Sequence, residues 1–419
     1  MRHAHVLLAA FAISFAVSGT ALSSPISEAS YLDLVMERNN SLKALRNEIR
    51  SRGFSIRSDV ASQRPSLNLA AENDRWLDHD RGDRYVDLAV THRFDLAGRY
   101  GLQERDLVLG LDILRCTYAD SVNELLARAA STYRSAVMAG LKRDAMERIL
   151  RQRRRSLLVT QEKFDKEFVP RLDLLRAKSQ VDDGEALVLQ ARQTFDRRLI
   201  ELRTLAGRTP VTPEIDVPTV TSADVSVDSE TAWRQRPDVT AISLSKERAS
   251  LARSLAARGL SPVLDVSVGL RLIEDYRSSY AEDQKGEVLA KLVLSLPIAD
   301  GGKTSNATKA QAFLVEKAAR ELDARRDSLR QEVDLVRERW TSALEAESIR
   351  RRQSMRASEE LEIAEMMYRE GLASQLDLIN AQEADQKTLT EHLSAIEELW
   401  LVLAEADRVM GRYIRSGPE

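Results

Sequence analysis

One segment of the chain ends like a phosphate-binding loop: Asp300-Gly301-Gly302-Lys303-Thr304. That loop requires its first glycine at position 297, where this chain has a proline. Gly301 and Gly302 are better explained by a tight turn between a strand and a helix, because glycine adopts backbone conformations that other residues resist. We therefore do not expect nucleotide binding.

The sequence contains no other pattern typical of catalysis or metal binding. Outside the first five residues the histidines are His79, His92 and His392, which lie far apart, and none has a second ligand at metal-binding spacing. Cys116 is the only cysteine, so no intramolecular disulfide can form, and its expected role is that of a small apolar filler on a helix. We expect no enzyme activity, no cofactor and no metal site.

A motif with a central Leu-Asp-Leu occurs twice. It reads FDKEFVPRLDLLRA from Phe164 to Ala177 and YREGLASQLDLINA from Tyr368 to Ala381, at a spacing of 204 residues (368 minus 164). The same spacing relates residues 92–99 to residues 296–303. The duplicated unit is therefore about half of the chain rather than a short motif.

The N-terminus has the pattern of a secretory signal peptide. Arg2 precedes an apolar run from Val6 to Val17, which small residues follow up to Ala21. A membrane anchor is the alternative, but the run is shorter than the roughly 18 apolar residues that a spanning helix needs. We assign residues 1–23 to the signal and, because no cysteine lies near the expected cut, we do not expect a lipoprotein.

The charged residues are numerous and nearly balanced, with 62 Lys and Arg against 65 Asp and Glu. This balance argues against nucleic acid as a partner, which would require a basic excess, and favours long solvated helices. No apolar stretch of helix-spanning length follows the signal, so any passage through a membrane would have to use β-strands.

The sequence predicts two repeats, residues 24–208 and 230–414, joined by a proline-containing linker at 209–229 and followed by a short tail at 415–419. Each repeat is predicted to contain a helix, two strands, a very long helix, a turn or tip, and a second helix. The first helices are expected at about residues 30–61 and 230–258.

The predicted strands alternate apolar and polar residues. Leu264, Val266 and Val268 share one face with Leu270 and Leu272, opposite a polar face that includes Asp265 and Arg271. Alternation alone fits either a half-buried sheet or strands that face lipid. Four strands cannot close a spanning barrel and open edges are not tolerated in lipid, so transmembrane strands would require several copies of the chain.

The long helices are predicted at about residues 97–163 and 302–367, which corresponds to roughly 100 Å each at about 1.5 Å per residue. Apolar residues recur at three- and four-residue steps with heavy charge between them, a pattern typical of coiled-coil packing. Within that charge the basic cluster Arg151, Arg153, Arg154 and Arg155 is predicted to be a solvated face.

Together these features resemble the outer membrane efflux protein family, the TolC-like outer membrane factors. They are the signal peptide, the duplicated units, Gly301-Gly302-Lys303 after a strand, and Tyr368-x-x-Gly371 followed by Leu376-Asp377-Leu378-x-x-Ala381-Gln382. The resemblance implies a mainly α fold with a small β part, in which three copies form a 12-stranded β-barrel and a 12-helix α-barrel. It also implies strand-to-helix turns at Gly98, Gly301 and Gly302.

The resemblance places candidate pore and gate residues at the tips, where Asp173 and Asp377 begin the tip helices. It implies a ring of three Asp377 carboxylates at the periplasmic mouth, with Asn380 in place of a second acidic ring. Repelling carboxylates would hold divalent cations and have raised pKa values, whereas the alternative is that Asp377 stabilises its own helix terminus. An arginine latch of the family is replaced by Ala373, so Tyr368 or Arg369 are candidates instead.

The first tip departs from the family pattern, because Glu167 stands where the second tip has Gly371, and Pro170 follows three residues later. We therefore expect the two tip turns to differ in shape.

Three functions remain open at this point. The first is a passive homotrimeric exit duct in the outer membrane of a Gram-negative bacterium, spanning into the periplasm in contact with outer-membrane lipid. It would serve an inner-membrane pump and a periplasmic adaptor (membrane fusion protein). The second is the exit duct of a type I protein secretion system. The third is a periplasmic coiled-coil adaptor or structural protein without a pore.

Overall fold

The computed structural model describes residues 25–75, 82–216, 227–275 and 286–414. The predicted signal peptide, most of both loops between paired strands, residues 217–226 of the predicted linker and the tail lie outside the described residues. His79 also lies there.

The first half of the chain forms two helices, a strand pair and two further helices. They are α1 (Glu28–Arg38), α2 (Asn40–Ala61), β1 (Ser66–Arg75), β2 (Gly82–Asp95), α3 (Arg99–Asp165) and α4 (Arg171–Leu205). The order of strands and long helices predicted from the sequence is confirmed.

The second half repeats this order: α5 (Ser229–Gln235), α6 (Pro237–Ala257), β3 (Val263–Asp275), β4 (Glu287–Ser295), α7 (Lys303–Glu370) and α8 (Gln375–Val409). The long helices have 67 and 68 residues, and the helices that follow the tips have 35 each. The two halves are therefore matched element by element.

The prediction of one helix before each strand pair was wrong, because both helices are interrupted. Asn39 has an extended backbone, and its side-chain Oδ1 accepts hydrogen bonds from the amides of Ser41 (2.9 Å) and Leu42 (3.3 Å), so it caps α2. Arg236 interrupts the second helix because it precedes Pro237, and a residue before proline is disfavoured in the helical region.

The four strands form one antiparallel sheet in the order β1-β2-β3-β4. Their register places Leu69, Leu88, Leu270 and Val288 in one row across the sheet. This apolar face is open to solvent in the single chain: Leu69 is 73% exposed and Val288 is 75% exposed. The described strands thus carry an uncovered apolar surface.

The opposite face of the sheet is polar and carries two ion pairs between β2 and β3. The Arg93 guanidinium lies 2.7 Å from Asp265, and the Arg271 guanidinium lies 2.7 Å from Asp87. In each pair the two residues are direct partners in the strand register, and the positions of acid and base are exchanged between the pairs. The charges of this face largely compensate one another.

The helices pack in a row in which α4 contacts α3, α3 contacts α8 and α8 contacts α7, while α6 lies against α3 and α7. The main core lies around the middle of α3, where Tyr31, Leu42, Leu126 and Leu202 are buried. No helix in the described ranges contains an apolar window long enough to cross a bilayer.

The apolar residues that recur at three- and four-residue steps on α3 and α7 are only partly buried. Val122 and Leu126 on α3 and Val333 and Val336 on α7 are buried, whereas Phe313 is 73% exposed. The prediction for the basic cluster was wrong at one position. Arg153 is 4% exposed, because its guanidinium reaches inward to the neighbouring helices instead of pointing to solvent.

Candidate functional site at the helical tips

The two turns that join the long helices to the following helices have the same backbone shape. The amide of Phe168 donates to the carbonyl oxygen of Lys163 at 2.8 Å, and the amide of Leu372 donates to Met367 at 2.8 Å. The expectation of different shapes was therefore wrong, since Glu167 adopts the left-handed conformation (φ 63°) that Gly371 has in the second tip (φ 80°). A non-glycine residue pays roughly 1–2 kcal/mol for this conformation.

The first residues after each turn expose large apolar side chains at duplicated positions. Phe168 is 76% exposed and its counterpart Leu372 is 73% exposed, and Leu172 and Leu376 are also exposed. Isolated apolar residues on a surface need no explanation, but four at matched positions of two duplicated turns do. We call these four residues the tip patch.

Asp377 lies on the surface of the first turn of α8 and caps that helix. Its Oδ2 accepts hydrogen bonds from the Ser374 hydroxyl (2.7 Å) and the Ser374 amide (2.9 Å), and the Asp377 amide donates to the Ser374 hydroxyl (3.2 Å). The hydroxyl hydrogen bond, followed by the amide bond, lowers the pKa of Asp377 below its ordinary value. Within one copy, Asp377 therefore performs the helix-stabilising role that the sequence left as the alternative.

The other predicted acidic and amide positions differ in their surroundings. Asn380 is exposed one turn beyond Asp377 on α8. Asp173 is half-buried on α4 and lies 3.6 Å from Arg176, which occupies the position that corresponds to Asn380 in the first repeat. Asp173 and Asp377 thus share a sequence motif but not a local environment.

Tyr368 connects the second tip to α3. Its side chain is 2% exposed, and its hydroxyl lies 3.0 Å from the Thr160 hydroxyl, which in turn lies 3.1 Å from Oε1 of Gln375. Lys163 places its ammonium 4.3 Å from the Tyr368 ring centre and donates to the Tyr368 carbonyl oxygen. Burial raises the pKa of the Tyr368 hydroxyl, so it stays protonated and able to donate.

Arg369, the other latch candidate, does not reach α3 in this way. It is exposed and lies 3.4 Å from Glu365 one turn earlier in its own helix. An exposed pair of this kind contributes little, about 0.3–0.5 kcal/mol.

We call α3 with α4 the first hairpin and α7 with α8 the second hairpin. Further polar contacts join α3 to the second hairpin on the side of the tips that faces the sheet. The Gln152 side-chain amide donates to Glu365 at 2.6 Å, and the Gln382 amide donates to the Ser156 hydroxyl at 2.9 Å. The buried Arg153 of α3 also donates to Gln386 of α8 at 2.6 Å. With the Tyr368 contacts these bonds form what we call the polar seam.

Sequence reasoning missed most of the polar seam. A signal was present for two of its residues, because Arg153 and Thr160 continue the three- and four-residue steps of Met146, Leu150 and Leu157 on α3. Polar residues at such positions are placed inside a helix interface. The glutamines carry no comparable signal.

The predicted strand-to-helix turns contain glycines in left-handed conformations. Gly98 (φ 67°) precedes α3 and Gly302 (φ 88°) precedes α7, and Gly301 also has a positive φ of 61°. An aspartate stabilises each helix start: the amide of Tyr100 donates to Asp95 at 2.7 Å and that of Thr304 donates to Asp300 at 2.7 Å.

The histidines and Cys116 are dispersed in the described part of the chain. His392 lies 3.3 Å from Glu347 between α8 and α7, whereas Cys116 is half-buried on α3. No group of three His, Cys, Asp or Glu side chains comes together there in a way that could hold a metal ion.

The model of the outer membrane efflux protein domain matches residues 229–398 of this chain. AprF of Pseudomonas aeruginosa, an alkaline protease secretion protein, is 22% identical over 284 residues, which are 64% of this chain and 57% of AprF. The chain thus spans less than two thirds of that curated relative.

The fold is similar to those of solved outer membrane channels over nearly the whole chain. The structure of CusC matches with a TM-score of 0.81 at 15% identity and covers 91% of each chain. The open-state structure of the MtrE outer membrane channel of Neisseria gonorrhoeae matches with a TM-score of 0.79 at 17% identity and covers 92% of this chain and 88% of MtrE. The domain match over residues 229–398 and the fold shared with solved outer membrane channels agree with the resemblance seen in the tip motif.

Proposed function

We propose that the protein is a passive exit duct that three copies form in the outer membrane of a Gram-negative bacterium. The main support for this proposal is the sheet, whose apolar face is uncovered across all four strands. A surface of this kind requires lipid or another apolar partner to cover it. Strands β1 and β4 each lack a partner on one side among the described residues, so neighbouring copies can extend the sheet until it closes.

The helices supply a periplasmic extension of the duct. α3 and α7 have 67 and 68 residues, which corresponds to roughly 100 Å at about 1.5 Å per residue. Exposed apolar residues lie along α4 at positions that are compatible with a heptad repeat, namely Leu172, Leu175 and Leu189. Such a seam suits packing against a helix of another copy. We keep the division into repeats 24–208 and 230–414 and the linker 209–229 as part of this proposal.

The tips would contact the other components of an export system. The tip patch offers an apolar docking surface that faces away from the sheet, which suits the end of a periplasmic adaptor. Energy for transport would then come from an inner-membrane pump. Cargo would pass through this protein without chemistry.

The gate would combine the Asp377 ring with the polar seam. Three Asp377 carboxylates around an axis would attract cations and bind divalent ions. The contact of Tyr368 with Thr160 would hold the second hairpin against the first in the closed state.

Two kinds of export system are compatible with such a duct. We propose efflux of solutes as the main function, because the matched domain is that of efflux proteins. Protein secretion is the second candidate, because AprF is a protease secretion protein. The extent of the fold match to membrane channels disfavours an adaptor or a rod without a pore.

The duct is tested by the conductance of the purified mature protein in planar bilayers. We expect discrete openings that added divalent cations block, and we expect Asp377→Ala to relieve the block. Asp173→Ala is the matched control, because that carboxylate lies at the corresponding position of the other tip. Light scattering of the detergent-solubilised protein should give the mass of three copies, whereas a well-folded protein without conductance would contradict the proposal.

Efflux and secretion are separated by deleting the gene in its host. Loss of tolerance to toxic solutes with an unchanged set of secreted proteins supports efflux. The opposite result supports secretion.

A further inference from the structure

A groove between α3 and the end of α7 is lined by four arginines. Arg148, Arg151 and Arg155 lie on one face of α3, and Arg369 comes from α7. The groove encloses about 400 Å³ and lies beside the polar seam, since Gln152 and Tyr368 also line it. It therefore borders both helical hairpins.

The charge of this groove is only partly compensated from within the described chain. Arg148, Arg151 and Arg155 have no hydrogen bond or ion pair with any described residue, although many other arginines of the chain are paired. The one carboxylate in the lining is Glu365. Four guanidinium groups against one carboxylate leave a local charge of +3 (4 minus 1).

Glu365 has little capacity left to neutralise the α3 arginines. One of its oxygens accepts the hydrogen bond from Gln152 at 2.6 Å, and the other lies 3.4 Å from Arg369. Glu147, which precedes Arg148 on α3, is held by Arg192 at 2.7 Å and interacts with Arg151 only over a longer distance. Nearby acids are thus already engaged.

We propose that this groove binds a multivalent oxyanion of the phosphate or polycarboxylate class, bridging α3 and α7. Guanidinium groups match the geometry of such anions because they donate two parallel hydrogen bonds to one phosphate or carboxylate group. From Arg148 to Arg155 the helix rises by about 10 Å (seven residues at about 1.5 Å). This length suits an anion with two or more charged groups rather than a single halide ion.

Binding at this place has a consequence for gating, which rests on the duct function proposed above. The α3 arginines belong to the first hairpin and Arg369 belongs to the second. An anion that contacts both would bind the arrangement with adjacent hairpins more tightly than a separated one. It would therefore shift the population toward the closed state.

The test is isothermal titration of the full mature protein in detergent with inorganic pyrophosphate and, separately, with citrate, at constant ionic strength. We expect one site per copy, and we expect Arg151→Gln with Arg155→Gln to weaken binding at least about tenfold, because each substitution removes charge-assisted hydrogen bonds to the anion. Arg128→Gln is the matched control, since Arg128 is an exposed arginine of α3 outside the groove. The relative affinity for pyrophosphate and for citrate shows whether the groove prefers a phosphate or a carboxylate compound.

Several outcomes would overturn the proposal. Equal affinity in the wild type and the double glutamine variant would mean that anions bind the surface without this groove. If the glutamine variant fails to fold, Arg151→Lys with Arg155→Lys keeps the charge but loses the paired hydrogen bonds, and unchanged binding there would contradict the recognition argued here.

The gating consequence is measured separately, as the open probability of single channels with and without pyrophosphate. Reduced opening in the wild type but not in the double glutamine variant supports the bridge between hairpins. Binding without any change in opening would refute the bridge. A protein that binds the anion but never conducts would refute the duct function and leave the site itself standing.

Discussion

Removing the hydroxyl of Tyr368 should loosen the contact between the two helical hairpins. Tyr368→Phe keeps the ring, which is 2% exposed and lies 4.3 Å from the Lys163 ammonium. The substitution deletes the 3.0 Å hydrogen bond to Thr160. Thr160 can still donate to the carbonyl oxygen of Ser156 at 3.0 Å, so no buried donor is left without an acceptor.

The size of the effect follows from the loss of one buried hydrogen bond. Such a bond contributes about 1 kcal/mol net, with a range of about 0.5–1.5 kcal/mol. In a duct of three copies that open together the loss is about 3 kcal/mol, which is roughly a hundredfold in the ratio of closed to open states. If the copies open independently, each loses about 1 kcal/mol, roughly a fivefold change.

Single-channel recording measures this ratio directly as the open probability. Tyr118→Phe is the control, because it also removes a hydroxyl that takes part in a hydrogen bond (2.7 Å to Arg46), but within the first half of the chain. We expect more frequent opening for Tyr368→Phe alone. Equal open probabilities for the wild type and both variants would refute the role of Tyr368 as a latch.

Three further perturbations have expected outcomes. Glu167→Gly should raise the free energy of unfolding by about 1 kcal/mol in chemical denaturation, because glycine adopts the left-handed conformation without strain; a loss of stability would contradict this. Asp238→Asn should lower it by about 1.5 kcal/mol, because Arg236 and Arg325 lose a charged partner but keep Glu332; a change below about 0.5 kcal/mol would show that the pair is unimportant. The lowered pKa of Asp377 means that its cap stabilises the tip above the ordinary aspartate pKa and is lost as the pH falls through the lowered value. Protection factors of the amides at the start of α8, which correct for the pH dependence of intrinsic exchange, should therefore fall in acid, and an Asp377→Asn variant should lack this pH dependence.

Much of the fold could be predicted from the sequence because its elements are long and regular. The strands alternate strictly, and the helices continue for about eighteen turns, so local irregularities do not obscure the pattern. The helix breaks could also have been found. Asparagine is a common residue at the start of a helix, as Asn39 is for α2. Proline is common at the first helical position, as Pro237 is for α6 after Arg236.

The surroundings of the tip residues were harder to predict than the elements themselves. The spacing Ser374-x-x-Asp377 is a capping-box signal, so the local role of Asp377 was readable. The position of Arg153 in the three- and four-residue steps of α3 indicated a helix interface, but the sequence does not indicate which helix faces it, and arginine is mostly exposed. The shape of the first tip depends on whether Glu167 tolerates strain, and no sequence pattern reports that.

The distribution of polar and apolar contacts indicates how the tips would move. Within the first hairpin the interface has an apolar core, in which Leu150 of α3 clusters with Val181 and Val188 of α4, and ion pairs such as Arg154–Glu185 accompany it. Separating those helices would expose that surface to water, at roughly 25 cal/mol per Å². Between the hairpins near the tips, Val159 makes an apolar contact with α7 and α8. The polar seam there uses hydrogen bonds such as those of Gln152 and Thr160, and water can replace them at about 1 kcal/mol each. We therefore expect each hairpin to move as a unit and the polar seam to separate first.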